Sequence, residues 1–336
     1  MSNTRIAKWD NLKFLLMLTV VMGHTVDFYT DESMVLGWLN FFIYIFHMPA
    51  FMFVSGLFMK NTVNNKKYDR MFSYLILGFA TKLFKFIANC IVGRKLKIEY
   101  FNEDSIAWYA FAVFMFALVT VYLRRFNRTY VFVLAVILGV MVGYDKSVDT
   151  YLSLARIFTF YPFFFAGYCL EGEKIIEKTD RIWVRAVSAV FVVTVAVLTY
   201  LNFHKIDWLI KIFKGKYPYN KLPDYDDFGG LFRLGHYIVA FAFVFALIAL
   251  MPKAKTFIST IGSRTLPIYA LHTSVITLLR GFGMDSLLIG LFGVNYVYAI
   301  PVAAVLILLV TSLKPFAIMI DKIINPPLSA ERVDKQ

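Results

Sequence analysis

Residues 12–28 read LKFLLMLTVVMGHTVDF, a run apolar enough to cross a hydrocarbon layer as a helix, yet it carries Lys13 and His24. A titratable group inside lipid is energetically costly, so such positions are the first candidates for function. Eleven residues at 100° each return His24 to within about 20° of the face that carries Lys13, about 16 Å further along the axis. One stripe of the first helix therefore holds a cation near its start and an imidazole beyond its middle. Arg5 and Lys8 precede the run, but no small-x-small cleavage site follows it, so it reads as a first span rather than a removable leader.

The rest of the chain has the same character. Of its 336 residues, 59% are hydrophobic and 18% aromatic, more apolar surface than a water-soluble domain can hide. Apolar runs long enough to span a bilayer number about ten. They fall at 11–29, 38–59, 71–92, 105–123, 129–144, 151–170, 184–203, 231–250, 265–283 and 294–313. The expected fold is an all-α polytopic membrane protein, one bundle with both termini on the same side. Lys and Arg gather in the loops of that side, as in KNTVNNKKYDR (60–70), RRFNR (124–128) and MPKAKT (251–256), which makes it the cytoplasmic side. Residues 326–336 form a short cytoplasmic tail after a single transmembrane domain over 1–325.

The net charge of +13 does not indicate nucleic acid. Its basic residues are scattered over short turns rather than lined along one face, the pattern that topology and anionic lipids use. Cys90 and Cys169 fall in opposite leaflets and cannot pair. No Cys/His cluster has metal-ligand spacing, and no Gly-rich phosphate loop or internal repeat is present.

Polar residues inside the spans carry what remains. His47 lies mid-span in FFIYIFHMPAFMFVSGLF (41–58), and Pro49 two residues on breaks the backbone bonding there and opens room for a cavity. Lys82, Lys85, Arg156, His236 and His272 add further buried polarity. Each has a plainer competing reading. Lys13 can snorkel to the interface, and a lone membrane histidine often serves as an interhelical hydrogen bonder. Three histidines at similar depth, His24, His47 and His272, weaken that reading for the group. Lys82 and Lys85, three residues apart, read as structural pairs with carboxylates of neighbouring helices. The loop HKIDWLIKIFKGKYPYNKLPDYDDFGG (204–230) sets Trp208, Tyr217, Tyr219 and Tyr225 beside Asp224, Asp226 and Asp227. It reads either as an interfacial aromatic segment or as a sugar-stacking surface.

A cation, ten residues (FLLMLTVVMG) and a histidine on the first helix resembles the hallmark of the acyltransferase-3 family of membrane acyltransferases. Lys13 stands where Arg is usual, without its bidentate fork. WDNLKFL (9–15) ahead of the histidine and FHMPAFMFVSGLF (46–58), ending in Ser55-Gly56 and Leu57-Phe58, fit the same family. In KYDR, Lys67 and Arg70 stand where the family often has two arginines. RIFTFYPFFFAGYCLE (156–171) resembles the fucose 4-O-acetylase-like and capsular polysaccharide branch, and IGSRTLPIYALHTSVI (261–276) its late Tyr-x-x-His segment.

The resemblance implies an acetyl-CoA-dependent O-acetyltransferase of the plasma membrane, without a metal, acting on a sugar hydroxyl of a surface polysaccharide or lipid-linked precursor. It implies catalytic roles for His24, Lys13, His47 and His272. Donor binding falls to Lys67, Arg70, Lys13, Arg156, Ser55 and Tyr269. Chemistry agrees with this: acetyl transfer needs a base or an acyl carrier, and histidine can be either near neutral pH. CoA phosphates need cations on the side where CoA is found. The expected partners are acetyl-CoA, a glycan or lipid-linked sugar, the bilayer and, as an open possibility, further copies of the chain. The competing class is a multi-span transporter or flippase, with Lys13 and Arg156 holding an anionic substrate; such folds often show inverted repeats, and none is visible.

Overall fold

The computed structural model describes residues 6–94, 106–147, 153–223 and 225–325. The tail 326–336, Asp224 and the first residues of the runs expected at 105–123 and 151–170 lie outside them. Among the described residues every regular element is helical. In chain order these are α1 (Ala7–Val26), α2 (Met34–Asn64), α3 (Tyr68–Ile91), α4 (Trp108–Leu123), α5 (Arg128–Met141), α6 (Leu154–Cys169), α7 (Gly172–Thr179) and α8 (Ile182–Leu201). Then come α9 (Phe203–Ile206), α10 (Ile210–Lys214), α11 (Gly229–Leu250), α12 (Phe257–Gly262), α13 (Thr265–Gly281), α14 (Met284–Phe292), α15 (Ala299–Thr311) and α16 (Lys314–Ile324).

Five stretches are long and apolar enough to cross a membrane on length and composition: Met34–Asn64, Tyr68–Ile91, Ile182–Leu201, Asp226–Leu250 and Met284–Thr311. α8 shows why water cannot be the only solvent. Beyond Arg185 near its start it is mostly apolar, yet Ile182, Val190 and Leu201 are largely exposed and only Ser188 is buried, which suits contact with lipid chains.

Side-chain bonds between loops gather the helix ends into two groups. At one end Lys8 meets Asp180, Asn11 Nδ2 donates to the carbonyls of Pro252 and Ala254 (2.9 and 3.1 Å), Arg124 donates to the Asn64 carbonyl, and Ser73 donates to Asn325. This is the terminal end. At the opposite end Lys214 meets Asp27, Tyr29 donates to Asp285, Tyr144 donates to the Asp227 carbonyl, and Tyr296 donates to Glu32.

α2 and α6 cross with their backbones in close contact. A Cβ on Gly56 would lie 1.9 Å from the Phe164 carbonyl oxygen, and one on Gly167 would lie 1.9 Å from that of Phe53. Only glycine at both positions lets the backbones approach so closely, the small-residue packing that replaces hydrophobic drive inside lipid. Around it Phe53, Phe116, Phe160, Phe163, Phe164 and Phe165 are fully buried.

Short helices α7, α9, α10, α12 and α14 fall between the expected runs, and three further elements differ from expectation. α2 runs past both edges of 38–59, because nothing on either side stops it before the turn at Asn65. The run expected at 294–313 is helical in α15 only from Ala299; Gly293, at φ +56°, and a 3-10 segment over Gly293–Tyr298 separate it from α14. α16 is an added short helix whose Ile320 and Ile324, four apart, are buried on one face.

Candidate active site at the junction of a cavity and a slot

The site begins with a defect in α2. Pro49 has no N–H to offer the carbonyl of Ile45, four residues back. His236 Nε2 on α11 donates to that carbonyl at 2.9 Å, so the broken bond is replaced from a neighbouring helix. Two residues before Pro49 stands His47, whose Nδ1 donates to the Ile43 carbonyl at 2.8 Å, leaving Nε2 as its acceptor in the neutral form. Asn40 then fastens α2 to the end of α1, donating to the Gly23 carbonyl (3.1 Å) and to Asp27 Oδ1 (3.3 Å).

These helix ends, with parts of α3, α4, α6, α10 and α13, enclose a cavity of ≈ 280 Å³ towards the opposite end. Its wall carries His24, His47, Tyr44, Trp108, Thr81 and Thr273, four cations (Lys85, Arg156, Lys214 and Lys216) and one carboxylate, Asp27. A narrow apolar slot continues from it along α1, lined by Met17, Val20, Met48, Phe51, Tyr109, Tyr269 and His272. Among the described residues His24 is the titratable side chain common to both walls.

His24 and His272 face each other across this junction, ring centres 5.4 Å apart. His272 Nδ1 lies 2.9 Å from the Ile268 carbonyl and 3.0 Å from that of Tyr269, which places its proton there and leaves Nε2 a buried acceptor. Tyr269 donates to the Ile106 carbonyl (2.6 Å) and accepts from the Ala110 N–H (3.3 Å), fixing the start of α4. Ser55 bonds the Tyr109 hydroxyl at 2.8 Å, so it sets the slot wall from behind.

Of the residues singled out in the sequence, His24, His47, His272, Arg156 and Tyr269 converge here, Ser55 one layer out. Arg156 is 7% exposed, its guanidinium 5.0 Å from the centre of the Trp108 ring. Lys13 continues the stripe of Met17, Val20 and His24 towards the terminal end. It pairs with the buried Asp10 at 2.7 Å and lies 4.8 Å from the Phe58 ring, on neither the cavity wall nor the slot wall. Lys67 and Arg70 are exposed at the terminal end, away from the cavity. Lys85 differs from its expected carboxylate pairing: it donates to the Thr273 carbonyl (3.2 Å) and to the Thr277 hydroxyl, because α13 presents neutral oxygens at that depth.

The segment 204–230 folds back over the opposite end. Arg233 donates to the Ile212 carbonyl and lies 6.0 Å from the Tyr219 ring, whose hydroxyl donates to the Val140 carbonyl at 2.8 Å. That anchoring delivers Phe213, Lys214 and Lys216 to the cavity. Trp208 stacks on Tyr225 instead, ring centres 5.3 Å apart. Asp27, Lys214 and Lys216 were the site residues the sequence hid, since only folding brings that segment over α1. The one available signal was a lysine pair, Lys214 and Lys216, beside an aromatic cluster.

A second charged cluster occupies the terminal end. Asp180 bonds Lys8 (2.6 Å), Arg185 (3.1 Å) and Lys253, with Lys8 almost fully buried. Burial works to raise the Asp180 carboxyl, but hydrogen bonds from Lys253, Lys8 and Arg185 outweigh it and hold it at about 2. Among the described residues no group of His, Cys, Asp and Glu is placed to hold a metal ion.

Comparison with known proteins adds the family. The nodulation protein NolL of Mesorhizobium japonicum (strain LMG 29417 / CECT 9101 / MAFF 303099) is 24% identical over 237 residues, covering 66% of this chain and 60% of that protein. The chain thus spans about 60% of the length of that curated relative. No solved structure matches. The family model for the acyltransferase domain, acyltransferase-3, matches residues 6–314, nearly all the described helices. The chain therefore belongs to the acyltransferase-3 family of membrane acyltransferases.

Proposed function

We propose that the protein is a plasma-membrane O-acetyltransferase that moves an acetyl group from cytoplasmic acetyl-CoA to a sugar hydroxyl of a surface polysaccharide or its lipid-linked precursor. Basic loops at the terminal end support a cytoplasmic position for that end. The donor then approaches from the side of Lys67, Arg70 and Lys13, and its acyl arm follows the stripe of Lys13, Met17 and Val20 to His24. The slot is narrow, and Met17 and Met48, unbranched and flexible, are the side chains able to widen it. The acceptor enters the cavity from the other end.

The observation that carries this reading is the position of His24, common to an apolar slot and a polar cavity and faced by a second imidazole. In the transfer step the acceptor oxygen bonds to the thioester carbonyl carbon as His24 takes the hydroxyl proton. The carbon–sulfur bond then breaks and the proton passes to the leaving thiolate, which balances the reaction without a metal. His272 packs its ring beside that of His24, 5.4 Å between centres, and His47 serves the acceptor side of the same chamber.

Incubation of the purified protein with acetyl-labelled acetyl-CoA tests the reading. Release of labelled acetate or labelling of a glycan is expected. Neither outcome, in folded protein, would return the chain to the transporter class.

A further inference from the structure

We infer that Phe28 is the stacking platform of the acceptor site, where the ring of a sugar lies flat while its hydroxyls donate to His47 and Asp27. The inference rests on the acetyltransferase reading above and names the part of the acceptor that the cavity recognises.

Phe28 follows α1 in the turn towards α2 and forms part of the cavity wall, yet it is 48% exposed. An exposed ring at the end of a membrane bundle has a plain reading as part of an interfacial belt. Such belts are made of Trp and Tyr, which turn a polar edge to the headgroups, and Phe28 has no such edge. Its ring is also held. The Arg280 guanidinium lies 4.1 Å from the ring centre, and Arg280 Nε in turn donates to Asp285 Oδ2 at 3.3 Å. Tyr29 donates to the other oxygen of Asp285, its own ring centre 5.5 Å from the same guanidinium. Arg280 is not among the described wall residues of the cavity, so it backs the ring from outside. A cation on one face leaves the remaining aromatic surface to whatever fills the cavity.

The neighbouring wall groups accept hydrogen bonds. His47 is 3% exposed, its Nδ1 proton is engaged by the Ile43 carbonyl, and Nε2 is left as an acceptor on the cavity side. A buried acceptor is costly unless a donor reaches it. Asp27 receives Asn40 and Lys214 on the same oxygen, Oδ1, so Oδ2 has lone pairs to offer. A sugar answers both kinds of surface: C–H bonds cover one face of its ring, and the hydroxyls around its rim donate. An acyl chain has the apolar surface without the donors. With the ring seated on Phe28 and one hydroxyl on His47, the hydroxyls still free are those offered to His24 of the same wall, so the pair selects the position that is acylated. The cavity's ≈ 280 Å³ is near the lower bound of ordinary ligand sites, about 300 Å³, which suits one sugar ring rather than several.

Saturation-transfer NMR reads the site on the purified full chain, in a detergent without a sugar headgroup. The probes are methyl glucoside, methyl galactoside and methyl mannoside. At least one should receive saturation, strongest on the C–H protons of one ring face. Phe28→Leu keeps an apolar side chain but removes the aromatic face, and should weaken that sugar by about fivefold; Phe28→Trp should bind it as tightly as wild type or better. His47→Phe should weaken it by about tenfold, and His47→Gln, which retains an acceptor, should recover part of that loss. Absence of saturation on every probe in folded wild type overturns the inference. So does unchanged affinity in Phe28→Leu at an unchanged melting temperature, since the ring would then be a side chain facing lipid or water. Sugar binding that depends on Phe28 in a protein that transfers no acetyl would reject the acetyltransferase reading and leave the sugar site standing.

Discussion

Two basic clusters sit at the two ends of the bundle, and they are built differently. At the terminal end Lys8, Arg185 and Lys253 close on a single carboxylate, Asp180. At the opposite end Lys85, Arg156, Lys214 and Lys216 line the wall of a cavity, where Lys214 pairs with Asp27 at 3.1 Å. Charge that encloses its own counter-ion is a fastening, here between the start of α1, the α7–α8 turn and the α11–α12 loop. Charge that lines a space faces whatever enters it. The composition of the two clusters is nearly the same, and geometry alone assigns their roles.

The fastening should fail as a fastening. Asp180→Asn leaves the nearly fully buried Lys8 without its partner, a loss on the order of 3 kcal/mol or more, read as a fall in melting temperature in detergent. Turnover per folded molecule should be unchanged; a loss of turnover in folded protein would make the terminal cluster part of the site. Its pH dependence follows from the depressed carboxyl. The stabilisation is complete above the unfolded value of 3.8 and disappears only as pH falls through about 2. Between pH 5 and 8 the melting-temperature gap between wild type and Asp180→Asn should therefore stay level.

Lys13 stands between the two types, and its prediction is smaller. Lys13→Gln should lower turnover by about 10- to 100-fold, the range for a truncated charge-assisted bond, while Lys13→Arg keeps most of it. Its partner Asp10 is buried, so part of any loss would come from the carboxylate left behind. The double variant Asp10→Asn, Lys13→Gln removes that contribution. Turnover restored in the double variant would make Lys13 a counter-ion alone; turnover still lost keeps it on the donor path.

The smallest effect belongs to Lys67 and Arg70. Both are exposed, where a pair of charges together contributes on the order of 0.5–1 kcal/mol, so alanine at both should raise the KM for acetyl-CoA by about two- to fivefold. Acceptor use should not change. If only the acceptor KM moved, the donor would not enter from the terminal end.

Helices were legible in the sequence because lipid demands them, and apolar runs marked most of them. His24, His47 and His272 were legible as a group for a related reason: a titratable residue inside a span stands out against its neighbours. What could not be read was anything that depends on a segment folding back. Lys214 and Lys216 were charges in a loop until Arg233 and Tyr219 anchored that loop over α1. His236 stood out as a buried histidine, yet its task of satisfying Ile45, the carbonyl freed by Pro49, joins residues 191 positions apart in sequence. Asp180 had no mark at all, being one acidic residue in a polar turn. Lys13 and His24 share a stripe as periodicity requires, but periodicity could not show that Asp10 already holds the lysine.

Acetyl transfer by the His24→Ala variant is the most direct test of the central claim. Purified wild type and variant, matched for melting temperature and monodispersity, are given acetyl-labelled acetyl-CoA with and without a sugar acceptor. With His24 as the base between donor and acceptor, the variant should lose transfer by about 100-fold or more, the contribution of a positioned general base, while acetyl-CoA still binds. Transfer at the wild-type rate by the folded variant would contradict the account, because the junction of slot and cavity would then not be where the reaction occurs.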